Sequence, residues 1–272
     1  MMIPKRNQAL DGVRGLLALT VLIIHAVAPG PLVPAYIALI GGAAVCAFFA
    51  LSGLVLTRAW NQGFIAFLAR RFVRLWPVYA LCLGASFILA HHQPIWTQFF
   101  WWPLITLRDK IVNDPPAWSL CIEAWAMLAM PFFVWCGRGP FYRALIAGVA
   151  CLVAADLNPY FFFGIFFIAG AWLSRFELRS AFLESAVPQW LGHVSYPLYL
   201  SHYLVLRYLG LPLVVSVPLA LLVAAVLTET VEKWSISTSR RVGHYLSHGV
   251  RPARKVIAGD VEGSQPAAVT TA

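Results

Sequence analysis

Eight mostly apolar stretches follow one another along this chain, near 10–28, 37–57, 75–90, 117–136, 141–156, 159–174, 190–209 and 212–233. A helix needs about 20 such residues to cross a bilayer. Composition argues against a soluble alternative. Hydrophobic residues make up 60% of the chain and charged residues only 11%, against roughly 25% charged in ordinary soluble domains. A soluble fold with so little polar surface could not cover itself. The expectation is an all-α protein, a polytopic transmembrane helix bundle of about eight spans. The stretches 75–90 and 141–156 are short for spans, and 190–209 is partly polar. The segment 96–107, WTQFFWWPLITL, is too short to span and suits the membrane interface or a re-entrant piece.

Loop charges give the expected orientation. Lys5 and Arg6 precede the first stretch, and 29–36 carries no charge. Arg58, Arg70, Arg71 and Arg74 follow the second stretch, and Arg108 and Lys110 stand beside Asp109 and Asp114 after the third. Then come Arg138, Asp156, and Arg175 with Arg179; Arg207 lies near the turn at Gly210. Arg240, Arg241, Arg251, Arg254 and Lys255 close the series. This alternation places both termini in the cytoplasm. The net charge of +9 belongs to that pattern. Scattered between apolar runs, it does not suggest nucleic-acid binding. Two parts are expected: a transmembrane domain over 1–236, and a polar basic tail over 237–272 that is disordered.

The start of the chain also looks like a secretory signal, with Lys5 and Arg6, an apolar run, and the small residues Ala26-Val27-Ala28. Arg14 interrupts that run and the remaining chain is equally membrane-like, so the segment reads as a retained first helix. The five cysteines, Cys46, Cys82, Cys121, Cys136 and Cys151, lie in or beside apolar runs without CxxC or metal-ligand spacing. They read as small buried hydrophobes; neither a disulfide framework nor a metal site is expected.

Ionisable residues inside spans are costly and therefore informative. In LDGVRGLLALTVLIIHA, Arg14 and His25 are eleven residues apart, almost three full turns, so they share one face about 16 Å apart. Asp11 lies three residues before Arg14 and can pair with it. The plainer reading makes Arg14 a headgroup anchor and His25 a helix-packing residue. In FFALSGLVL, Ser52-Gly53 is expected to let helices pack closely. In PPAWSLCIEAW, the two prolines break the chain before a helix starting near Trp118, and Ser119 and Glu123 share a face. Glu123 needs either a basic partner from another helix or a proton. In VSYPLYLSHYLVLR, Ser195, Tyr199 and His202 form a polar stripe. Glu229 and Glu232, at the end of the last span, are expected to be solvated or paired with the basic tail. FIAFLARRFVRLWPVY reads as an interfacial amphipathic helix whose Arg70, Arg71 and Arg74 hold the lipid surface or the phosphates of a nucleotide-bearing substrate.

In their order, these stretches resemble the acyltransferase 3 family of integral-membrane O-acyltransferases. LDGVRGLLALTVLIIHA resembles its first helix, FFALSGLVL its second, and FLARRFVRLWPVY its basic segment. WSLCIEAWAMLAMP resembles its Trp-Ser-Leu…Glu…Pro helix, and VSYPLYLSH its penultimate helix. VEKW at 231–234 stands where Glu-Lys/Arg-Pro is common, with Trp234 in place of the proline. Members usually have ten spans, and the interval from Glu123 to Ser195 leaves two of them out. Ala124-Trp125-Ala126 also replaces a further Glu and a Gln-Phe-Tyr-like run.

The resemblance implies transfer of an acyl group, commonly acetyl, from an acyl-CoA donor to a hydroxyl of a glycan or another cell-envelope acceptor. It implies a multi-pass protein of the cytoplasmic (inner) membrane with no resident cofactor or metal. The family's essential Arg and His map to Arg14 and His25, its second-helix Ser to Ser52 and its Glu to Glu123. His25 is then the candidate base and Arg14 the holder of the donor. Glu123 would orient His25 or position the acceptor. Ser52, Arg70, Arg71, Arg74, Trp118, Ser119, Tyr199 and His202 are candidates for substrate binding. The partners implied are the acyl-CoA donor, a glycan or lipid-linked glycan and the bilayer, with no nucleic acid. The rival readings are a transporter of a lipid-linked or acylated intermediate, in which Arg, His and Glu line a path, and an inactive family member.

Overall fold

The computed structural model describes residues 7–27, 34–60, 63–91 and 115–248. Among these, every regular element is helical. Helices α1 (Gln8–Val27), α2 (Ala35–Ala59) and α3 (Phe64–Leu89) come first. After the 3₁₀ turn Pro115–Ala117 come α4 (Trp118–Leu128), α5 (Met130–Arg138) and α6 (Phe141–Ala155). The 3₁₀ segment Pro159–Phe163 leads into α7 (Gly164–Leu173). Next are α8 (Ala186–Tyr208) and α9 (Leu213–Leu227), then a π-helical turn, Thr228–Glu232, and α10 (Lys233–His248). The aromatic segment 96–107 lies outside the described residues.

Two close helix crossings organise the bundle. At one, α1 meets α8: a Cβ on Gly15 would strike the backbone of Gly192, and a Cβ on Gly192 would strike the carbonyl of Asp11. At the other, α2 meets α7: a Cβ on Gly53 would hit the Phe167 carbonyl, and one on Gly170 the Ala50 carbonyl. Lipid tails offer no hydrophobic drive for helix association, so backbone-close packing across small residues takes its place. This bears out the packing reading of Ser52-Gly53. The buried apolar side chains divide along the same line. One cluster gathers α2 through α7, with Leu200 and Leu204 of α8, around Phe49, Tyr79, Met130 and Phe167. The other joins α1, α8 and α9 through Ala18, Leu22, Val194, Leu198 and Ala220. Large apolar residues such as Leu39, Ile40, Ile65, Ile88, Ile146, Val153 and Val214 point outward, as lipid-facing positions do.

Among the described residues, four helices are long and apolar enough to cross a membrane: α1, α2, α3 and the rod Leu213–Leu246. A fifth is counted if α4 and α5 are one span, although they bend by 70° at their junction. Pro131, second in α5, lacks the N–H that would continue the ladder. The expected span at 117–136 is therefore broken. The candidates at 141–156 and 159–174 are short helices, and that at 190–209 is the longer, partly polar α8.

Two expectations need correction. Residues 64–74 do not form a separate interfacial helix; they are the first three turns of α3, which runs unbroken through Pro77. The polar region beginning at 237 is helical as far as His248. Ser235, Ser239 and Gly243, spaced four apart, form a buried small stripe on α10 that packs along α3. Ser235 Oγ donates to the Arg74 carbonyl at 3.0 Å, and Gly243 sits tightly against the Arg70 side chain. Residues 249–272 lie outside the described residues.

Candidate functional site

Five helices enclose a cavity of about 320 Å3. Four of them offer polar residues spaced three or four apart, hence on one face. Asp11 and Arg14 come from α1, Arg71 and Arg74 from α3, Ser119 and Glu123 from α4, and Ser195 and Tyr199 from α8; Ser52 and Arg58 come from α2. Four arginines against two carboxylates leave a local excess of positive charge. Such a cavity favours an anionic ligand, and phosphate suits the guanidinium fork.

Arg14 does not snorkel to lipid. Its Nε donates to Ser195 Oγ at 2.8 Å, and its Nη2 donates to the Gly192 carbonyl at 2.8 Å and pairs with Asp11 Oδ1 at 3.1 Å. These bonds tie α1 to α8 beside the Gly15–Gly192 crossing. Glu123 Oε1 accepts from Ser52 Oγ at 3.2 Å. Arg71 lines the same cavity as Glu123. Ser119 Oγ and Tyr199 Oη share a 2.8 Å hydrogen bond, joining α4 to α8.

The polar face of α8 leads from this cavity to a histidine pair. Tyr199 lines the cavity, and its ring lies 6.1 Å from that of His202. His202 Nε2 is 3.3 Å from Nδ1 of His25 on α1, with ring centroids 5.1 Å apart. Both Nδ1 atoms also meet carbonyls one turn earlier on their own helices. His25 Nδ1 donates to Val21 at 2.9 Å, and His202 Nδ1 donates to Leu198 at 3.0 Å. Tyr203 closes the pair, its ring edge-on to His25 at 6.0 Å.

The structure thus brings Arg14, Ser52, Arg71, Arg74, Ser119, Glu123 and Tyr199 to one cavity. His25 and His202 stand together beyond it. Glu123 bonds Ser52, so the side chain held against His25 is His202 and not Glu123. Arg70 lies against α10. Trp118 packs between Phe49 and Phe163, with centroids at 6.3 and 5.4 Å. Neither is among the residues lining the cavity. Arg58 was read only as a loop charge, yet it lines the cavity while donating to the Ser174 and Phe176 carbonyls at the end of α7. Its position at a helix end gave no sign of that reach. Among the described residues, no group of His, Cys, Asp and Glu could hold a metal ion.

A bundle with an apolar skin, and with arginines, a carboxylate and paired histidines inside, defines a multi-pass membrane protein with the makings of a polar reaction site. The particular kind follows from comparison: the acyltransferase 3 family model, described as an acyltransferase domain, matches residues 7–186. That match covers well over half of the chain, which therefore belongs to the acyltransferase 3 family, the membrane acyltransferases. Comparison with curated proteins and with solved structures gives no match.

Proposed function

We propose that the protein transfers an acyl group, acetyl in the simplest case, from acyl-CoA to a hydroxyl of a glycan or lipid-linked glycan of the cell envelope. The supporting observation is the continuity of two helix faces. On α1, Arg14 and His25 lie on one face about 16 Å apart along the axis, and on α8 Ser195, Tyr199 and His202 run beside them. A long donor suits that distance. Its phosphates would pair with the cavity arginines, above all Arg71 and Arg74, and its pantetheine arm would carry the thioester toward His25. The arginine-rich end, which joins Arg14, Arg58, Arg71 and Arg74 in one cavity, would face the cytoplasm of the inner membrane, with both termini on that side.

His25 is the general base. The acceptor oxygen attacks the thioester carbonyl carbon as its proton passes to the His25 ring. The carbon–sulfur bond then breaks, and the departing thiolate recovers that proton from the imidazolium. Acid–base catalysis of this kind contributes about 10²–10⁴-fold. Glu123 and Ser52 would hold a polar part of a substrate in the cavity, with Ser119 and Tyr199 opposite. The test is His25→Ala in the host: mass spectrometry of surface glycans should show loss of acyl groups while the protein stays in the membrane. Unchanged acylation would remove His25 as base. Acyl-CoA turnover by the purified protein separates this reading from transport, because a pure transporter shows none.

A further inference from the structure

We infer that His202 is a positioning residue for His25, holding it in the tautomer whose Nε2 can accept a proton; this rests on His25 being the base. Hydrogen-bond accounting carries the assignment. A backbone carbonyl can only accept, so the bonds to Val21 and Leu198 require a proton on Nδ1 of both rings. A neutral His202 with its proton on Nδ1 has a bare lone pair on Nε2. That lone pair lies 3.3 Å from the protonated Nδ1 of His25 and receives a share of its hydrogen. The lone pair of neutral His25 is then on Nε2. The opposite tautomer of His25 would set its one Nδ1 lone pair against both the His202 Nε2 lone pair and the Val21 carbonyl oxygen.

The same accounting removes His202 from substrate contact. Its two ring nitrogens are engaged, and its surface is 1% exposed. When His25 takes the acceptor proton it becomes an imidazolium, and its Nδ1–H bond to His202 becomes charge-assisted and stronger. His202 thus favours the charged form of the base at the moment it arises. A second proton on His202 Nε2 would place two N–H groups face to face, so His202 stays neutral throughout. Acceptors that orient a working histidine in this way are worth about 10–100-fold in activity where measured at metal-binding histidines.

The experiment uses the full chain in lipid nanodiscs with acetyl-CoA and three variants. His202→Gln places a carbonyl oxygen near the Nε2 position. His202→Phe fills the space without an acceptor, and His202→Asn keeps the bond toward Leu198 but is too short to reach His25. The Phe and Asn variants should lose about 10–100-fold in kcat, with KM for acetyl-CoA unchanged, and Gln should restore most of the rate. Nitrogen-15 NMR of histidine-labelled protein should show the Nδ1–H tautomer of His25 in the wild type and the Gln variant, and a measurably smaller share of it in the other two, where the Val21 carbonyl is the one acceptor of this pair left to hold it. A folded Phe or Asn variant with wild-type kcat, an effect on KM alone, or an unchanged His25 tautomer would overturn the inference. If His25→Ala retains turnover, the base assignment fails by itself, while the NMR result still reports whether His202 holds the ring.

Discussion

Arginine serves differently in the two halves of this bundle. In the half built on α1 and α8, Arg14 bonds across a glycine crossing and also lines a cavity. In the half built on α2, α5 and α7, three arginines form a closed ring of helix caps. Arg58 of α2 donates to the end of α7, Arg175 just past α7 donates to the Gly137 and Gly139 carbonyls at the end of α5, and Arg138 of α5 donates to the Thr57 and Trp60 carbonyls at the end of α2. The last carbonyls of a helix have no partner within it, and they carry its negative dipole end. A guanidinium satisfies both needs. All three arginines read in the sequence as loop charges that set orientation. The structure shows that the same charges close the ends of three helices around one another.

This contrast predicts which changes remove activity and which remove stability. The largest expected effect lies at the histidine pair: if His25 is the base as proposed, His25→Ala should abolish acyl transfer to within assay background with the melting temperature unchanged, checked by acetyl-CoA turnover and thermal unfolding in detergent. Next comes the α2–α7 crossing. Gly170→Val drives a side chain into the Ala50 carbonyl, and such overpacking costs about 3 kcal/mol or more, so the folded yield should collapse on size-exclusion chromatography. If Gly170→Val folds with wild-type stability, the crossing is not what joins that half.

Arg71→Ala and Arg138→Ala then sharpen the difference between the two kinds of arginine. Arg71→Ala should raise KM for acyl-CoA about tenfold, the loss of one charge-assisted phosphate contact, and leave the melting temperature alone. Arg138→Ala should leave KM alone and lower stability by about 1–2 kcal/mol, through two lost charge-assisted bonds to carbonyls. A KM effect from Arg138→Ala would merge the two regions. The smallest change is Ser52→Ala, which removes one hydrogen bond to Glu123 worth about 1 kcal/mol. Its turnover should fall a few-fold, well short of the loss in Glu123→Ala.

Much of this site could be read along single helices. The spacing from Arg14 to His25, from Ser119 to Glu123, and from Ser195 through Tyr199 to His202 placed each set on one face, because 3.6 residues per turn leave little choice. The need of Glu123 for polar company was also legible, and the structure sets it beside Ser52 in a cavity that Arg71 also lines. Span boundaries were less so. The arginines of α3 looked like an interfacial piece because charge there lowers local hydropathy, yet the helix continues where α10 lays Ser235, Ser239 and Gly243 against it. The polar composition of α10 concealed a helix whose stability comes from that contact. The bend at Pro131 depends on backbone hydrogen bonding that average hydropathy does not register.

The sequence by itself determined the membrane class, the polar faces and the family, since these depend on composition, helical period and motif order. Which faces meet was decided only by tertiary structure. The glycine crossings set α1 against α8, and so His25 against His202 while Glu123 turns to Ser52. Partners on different helices are chosen by close packing between distant segments, and no local periodicity records that choice.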